Sequence, residues 1–230
     1  MAVLNMIAAN NWERPIYIDH SLLYSNNIFF LEYLQFEGLA YRFVPIMTKP
    51  DGGYRGRVDA EILYSNVMNK FKWGNVNDPD VYLDEYNRKA VNITQYRYMF
   101  ARLARGLIEK GDNKRAVEVL DRLFEIFPDE KIPLSFDSMP SVELYYLAGE
   151  NDKAAKLVRT LTNNSFEMLE YYTSLPGRFA AVIEQEQNNY ISLIQNMKII
   201  TARYNQPELS KEIDDRLNVL ISKLEKDSNS

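Results

Sequence analysis

The sequence predicts a mainly α-helical protein in which helical hairpins follow a small mixed α/β N-terminal subdomain. Three observations predict it. Residues 1–87 are broken into short apolar runs by Pro15, Pro45, Pro50, Gly52, Gly53, Gly56, Gly74 and Pro79, so the elements there must be brief and joined by turns. Residues 88–230 hold long stretches of good helix formers with few breakers. A helix–turn–helix pattern recurs within that second part, its turn glycines Gly111 and Gly149 lying 38 residues apart.

In the N-terminal part, Arg14–Ile18 and Leu39–Val44 are rich in aromatic and β-branched residues, which suits short strands. Phe29 to Phe36 between them reads as a helix by its apolar spacing. The stretch 48–56 holds one proline and three glycines with few apolar residues and is predicted to be a mobile loop. Val58 to Phe71 resumes a helical pattern.

The second part opens with Phe100-x2-Leu103-Ala104-x2-Leu107, whose bulky, small and bulky positions suit the first helix of a tetratricopeptide-like unit, with Gly111-Asp112 as its turn. Ala116 follows as the small residue where two helices cross, Leu120 fills the aromatic slot, and Pro128 ends the unit. A weaker copy runs from Leu144 through Gly149 to Ala154, Ala155, Val158 and Leu161. The 38-residue spacing exceeds the usual unit by about four residues, which places an insertion in Asp129–Ser138. The alternative is an ordinary helical bundle that reuses the same grammar. Two units are too few to stand alone, since each buries its face on a neighbour. The C-terminal helices and the N-terminal subdomain are expected to cap them.

Phe179 to Tyr204 reads as a long helix that begins after Pro176-Gly177. Leu209, Ile213, Leu217, Leu220, Ile221 and Leu224 step by three and four and mark one face of a final helix. Pro207 sits in its first turn, where proline is tolerated.

With 46% hydrophobic residues the chain can bury a core without staples, and it has no cysteine for disulfides or thiolate sites. Twenty-seven basic and thirty-two acidic residues form no long block of one sign, which argues against nucleic acid as a partner. The start, Met1 to Asn10, lacks a basic region and is interrupted by Asn5, so it reads as neither a signal peptide nor an anchor. No apolar run reaches the roughly 18 residues that a membrane span needs, and the chain as given reads as soluble.

Catalytic patterns do not emerge. His20 is the single histidine, so neither a two-histidine metal site nor a triad has spacing support, and it reads as a surface or turn residue. Asp214-Asp215 and Asp78-x-Asp80 lack the fixed steps of a calcium loop. Gly52-Gly53-x-x-Gly56 lacks the lysine of a phosphate loop. The sequons at Asn92 and Asn163 carry no weight in a chain rich in asparagine. Asn69, Lys72 and Trp73, with Lys70 and Asn75, gather an indole, cations and amides beside Gly74. Such a set can stack on a sugar or grip an anion. The preferred reading is a packed tryptophan with a glycine cap. No catalytic residue, metal or cofactor is expected.

Asn10–Tyr17, Glu32–Arg42 with Val44-Pro45, and Met68–Asn75 followed by Asp78-Pro79 and Tyr82–Asp84 resemble the C-terminal region of large multi-span membrane proteins common in Bacteroidetes. That family is similar to the protein O-mannosyltransferase-like glycosyltransferases. The resemblance implies a periplasmic or otherwise extracytoplasmic location. It also implies a non-catalytic domain that binds an acceptor polypeptide, a glycan, or the membrane half that would carry the transferase activity. The alternative is a stand-alone helical interaction scaffold with no link to glycosylation. In a tetratricopeptide-like array the first helices line a groove, which aligns Tyr98, Arg105, Glu143 and Tyr146 as the candidate partner surface. The other outcome is that the C-terminal helices plug that groove and the tyrosines become core.

Overall fold

The breakers of the N-terminal part leave room only for short elements. The computed structural model describes residues 2–20, 30–48, 55–84 and 93–228. A helix, α1 (Ala2–Asn10), which the sequence reading did not assign, precedes strands β1 (Tyr17–Asp19), β2 (Leu34–Phe36), β3 (Ala40–Phe43) and β4 (Arg57–Val58). They form a mixed sheet in the order β1-β3-β2-β4. β3 pairs antiparallel with β1, Ile18 facing Tyr41, and with β2, Phe36 facing Tyr41; β4 runs parallel to β2.

Strands β1 and β3 fall where β-branched and aromatic residues predicted them. The helix predicted over Phe29–Phe36 does not form: a single 3-10 turn over Leu31–Tyr33 leads into β2. Gly38, at φ +114°, returns the chain, and an added Cβ would sit 2.6 Å from the Phe71 ring, so the sharp turn requires glycine. The residues before that turn then pair on both edges, and Leu34, Gln35 and Phe36 are all buried. Sheet pairing overrides the helical spacing. Phe29, residues 49–54 of the predicted loop, and Asn92 lie outside the described residues.

Asp59 caps α2 (Ala60–Tyr64) by accepting from the Glu61 and Ile62 N–H groups at 3.1 and 3.2 Å. The helix continues as a π-turn over Ser65–Lys70.

Six further helices follow: α3 (Ile93–Glu109), α4 (Asn113–Ile126), α5 (Met139–Leu147), α6 (Asn151–Ser174), α7 (Ala180–Arg203) and α8 (Pro207–Ser228). They form three consecutive pairs. Gly111 and Gly149 take φ +78° and +89°, as glycine turns should. Asn205, at φ +56°, makes the same turn between α7 and α8. In all three the next residue donates its N–H five residues back: Asp112 to Leu107 at 2.9 Å, Glu150 to Tyr145 at 2.9 Å, Gln206 to Thr201 at 2.8 Å. The second helix then starts identically, with the N–H groups of Ala116, Ala154 and Ser210 bonding the carbonyls four residues back. Asparagine tolerates the left-handed region because its short amide can bond locally, so a third pair exists where the sequence shows no glycine.

Ala104 and Ala116 are both fully buried, as small residues at a helix crossing must be. Leu103, Leu107, Leu120 and Leu123 are equally buried around them, each contributing about 1.5–3 kcal/mol by transfer from water. On α8, Leu209, Ile213, Leu217 and Leu220 are buried but Ile221 is 39% exposed. The stripe is narrower than predicted because, among the described residues, no element follows α8 to receive Ile221; the Leu224 side chain lies outside the described residues.

Both ends of the row of pairs are closed to further apolar stacking. At the first pair, Arg102 lies over the Phe36 ring at 4.4 Å and donates to the Gly56 carbonyl at 2.9 Å, while Gly106 admits Val58 and Ala60. The sheet and α2 thus cap α3. At the third pair, Lys198 and Asp214 stand where Ala104 and Leu120 stand in the first and Val142 and Val158 in the second. A polar, ion-paired outer face replaces the apolar contact surface of the inner pairs. The link between α4 and α5 is pinned by buried Arg97, which donates to Asp137 at 2.8 Å and to the Ile132 carbonyl at 2.7 Å. Buried apolar residues from Ile18 to Leu220 form one cluster. Among the described residues no helix is long and apolar enough to cross a membrane.

Candidate functional site

Counting back from the turn residues Gly111, Gly149 and Asn205 aligns the first helices of the three pairs and shows which side chains form rows along them. One row is Tyr98, Phe136 and Ser192; the next is Arg105, Glu143 and Ile199; the third is Glu109, Leu147 and Arg203. On α3 and α7 these rows lie seven and four residues apart, hence on one side of the helix; in the second pair Phe136 opens the 3-10 turn Phe136–Ser138 that leads into α5. They carry exposed apolar side chains: Phe136 is 37% exposed, Leu147 48% and Ile199 55%.

Of the four residues assigned to a partner surface, Tyr98 and Arg105 are half-buried on α3. Glu143 accepts a 2.6 Å hydrogen bond from Arg203 at the end of α7. Tyr146 is only 5% exposed and lies flat against Tyr204, the ring centroids 4.6 Å apart. It packs between α5 and α7 rather than lining an open face. Burial raises the Tyr146 hydroxyl above its usual range, Arg159 opposing, and that buried hydroxyl has no hydrogen-bond partner among the described residues. Burial also raises Tyr204; Glu143 adds to the effect, while Arg203 and Arg105 oppose it. Arg105, Glu143, Arg203 and Tyr204 thus form one electrostatic group joining the three first helices. The end of α7 covers the lower part of the surface and leaves Phe136, Leu147 and Ile199 outside the cover.

The sequence reading missed those three. Phe136 and Leu147 follow from the same alignment on Gly149 that produced Glu143. Ile199 requires the third pair, whose turn residue is asparagine, and no single-residue signal marks it.

The second candidate surface divides. Asn69 and Lys72 are exposed. Trp73 meets Phe71, Tyr96, Phe100 and Phe127, its ring centroid 5.4–5.9 Å from theirs. Its indole ties the segment after α2 to the first helix pair, so packing occupies the ring that a sugar would need. His20 stacks on Tyr41 at 5.8 Å beside Arg102. Among the described residues no group of three or more His, Asp or Glu is placed to hold a metal ion.

Residues 1–62 match the family model of TMEM260-associated domain 2. The matched span contains α1, the four strands and the start of α2, and the three helix pairs follow it. No curated protein and no solved structure matches the chain.

Proposed function

We propose that this chain is a non-catalytic interaction domain of a membrane protein resembling the O-mannosyltransferase-like glycosyltransferases, that it works outside the cytoplasm, and that the surface of its first helices receives an acceptor polypeptide. The observation that carries the reading is the set of exposed apolar residues Phe136 and Leu147 at the second helix pair and Ile199 on the third, on the side of a row of pairs that is capped at both ends. Capping directs association away from the ends of the row and toward its side. The match of residues 1–62 to a TMEM260-associated domain supports the membrane-protein context. On this reading the pairs are tetratricopeptide-like units, and residues 1–87 and 88–230 are a cap and an array.

A polypeptide suits this surface better than a glycan. Phe136, Leu147 and Ile199 supply apolar contact area, whereas sugar recognition needs hydroxyl-bonding groups around an aromatic plate. Arg105 at the same surface adds a fork for a carboxylate or a backbone carbonyl. Parallel peptide and glycan arrays probed with the purified chain test the choice: retention by apolar-containing peptides is expected, and retention by glycans alone contradicts it. The absence of catalysis is tested separately with activated glycosides and esters, where turnover that disappears on changing one residue of this chain would overturn the non-catalytic reading.

A further inference from the structure

Helix α1 is built unlike the rest of the molecule. From Met1 to Trp12 no side chain is ionic, and the first ionic residues are Glu13 and Arg14. Leu4 and Met6 are 54% and 52% exposed, and none of the described side chains of α1 is buried. Among the described elements none makes more than slight contact with it. An apolar helix standing free in water is unfavourable unless an apolar environment receives it.

The junction after α1 is fixed. Asn11 and Trp12 both take left-handed backbone, at φ +45° and +62°, a costly conformation for a bulky residue. The Asn10 side-chain amide locks the turn by donating to the Arg14 carbonyl at 2.7 Å, and the Glu13 N–H bonds the Asn10 carbonyl at 2.9 Å. The result holds the Trp12 indole flat on Phe43, centroids 5.5 Å apart and planes 7° apart, while the residue remains 54% exposed. Phe43 in turn meets Tyr33, whose hydroxyl reaches the Met47 sulfur at 3.7 Å. Met47 is 65% exposed and Ile46 47%. An aromatic plate therefore joins the foot of α1 to a second exposed apolar pair.

We propose that α1 inserts into the hydrocarbon of a phospholipid bilayer, with Trp12 at the headgroup level and Ile46-Met47 resting on the same surface. Leu4 and Met6 lie about 160° apart around the helix, so a protein groove, which covers one side, would leave the other wet. Acyl chains surround a helix and cover both. Charge divides in the same way: the neutral segment meets hydrocarbon, and Arg14, the first cation after the indole, meets lipid phosphate. Tryptophan at that boundary is the residue that bilayer interfaces favour. As described, α1 is about 14 Å long, enough to enter one leaflet of a core about 30 Å thick.

The test uses the intact chain and vesicles of phosphatidylcholine, and it is independent of any ligand on the first-helix surface. The chain is expected to float with the vesicles, and lipids brominated on their acyl chains should quench its fluorescence. Trp12→Phe should abolish the quenching and Trp73→Phe should preserve it. Leu4→Asp with Met6→Asp should reduce flotation at least tenfold with an unchanged circular dichroism spectrum. Absence of flotation by the parent chain overturns the proposal, as does undiminished flotation of the double variant. A parent dimer that the double variant converts to monomer also overturns it, by assigning α1 to a second copy.

Discussion

Lys198 and Asp214 form an ion pair across α7 and α8 at the two positions that hold Ala104 and Leu120 in the first helix pair and Val142 and Val158 in the second. In the inner pairs those apolar residues are fully buried, whereas both members of the ion pair keep about 40% of their side chains exposed. The third pair thus ends the apolar stacking surface with charge. Replacing the pair by Lys198→Ala with Asp214→Leu restores the interior pattern on an outer face. Light scattering should then show association that grows with concentration and is absent from the parent. Stability should change little, because an exposed pair contributes about 0–1 kcal/mol. A variant that stays at the parent's mass would remove the capping argument.

The three turns should respond alike to a side chain that resists left-handed backbone. Gly111→Ala, Gly149→Ala and Asn205→Ala should each cost about 1–2 kcal/mol in denaturant unfolding, while Asn205→Gly should cost nothing. A destabilising Asn205→Gly would mean that its amide, rather than its backbone angle, holds the third turn.

Much of the fold was legible in the sequence because glycine and proline act locally. Gly111, Gly149 and Pro128 punctuate the first two pairs, and Ala116 marks their crossing. What escaped has a physical cause in each case. Both helices of the third pair were legible, but its likeness to the first two was hidden because asparagine replaced glycine at its turn and because Lys198, Ser210 and Asp214 replaced apolar residues at positions where a cap must be wet. Strand β2 was hidden because its partners, β3 and β4, lie later in the chain and override its helical spacing. The position of Tyr146 along α5 suits a surface; the tyrosine that covers it, Tyr204, caps the end of α7 and lies 58 residues away in sequence. The exposed residues Phe136, Leu147 and Ile199 span the second and third pairs, and Ile199 becomes visible only when the third is aligned with the others.

The crossing residues separate interior pairs from the cap. Ala116 and Ala154 are fully buried, whereas Ser210 is half-buried. Ala116→Phe and Ala154→Phe should overpack and each cost about 1–3 kcal/mol, and Ser210→Phe should cost clearly less. Equal losses at all three positions, read from urea midpoints, would contradict an open outer face on the third pair.

His20 should make stability depend on pH near neutrality. Burial against Tyr41 holds its imidazole below the ordinary 6.5, with Arg102 adding to the effect and Asp19 opposing it. The folded chain then binds fewer protons than the unfolded chain, so stability is present above pH 6.5 and falls as the pH drops below it. Urea midpoints at pH 8.0 and 6.0 should fall for the parent and fall less for His20→Gln. An identical fall in both would place the pH dependence elsewhere.

The central proposal is that the side of the capped helix pairs, at Phe136 and Leu147 of the second and Ile199 of the third, holds a polypeptide. The most direct measurement is the affinity of a peptide selected on the array for the parent and for the variant Leu147→Asp with Ile199→Asp. Both residues are exposed, so the variant should unfold at the parent's denaturant concentration. At least a tenfold loss of affinity with unchanged stability is the predicted result; unchanged affinity in a folded variant would contradict the account.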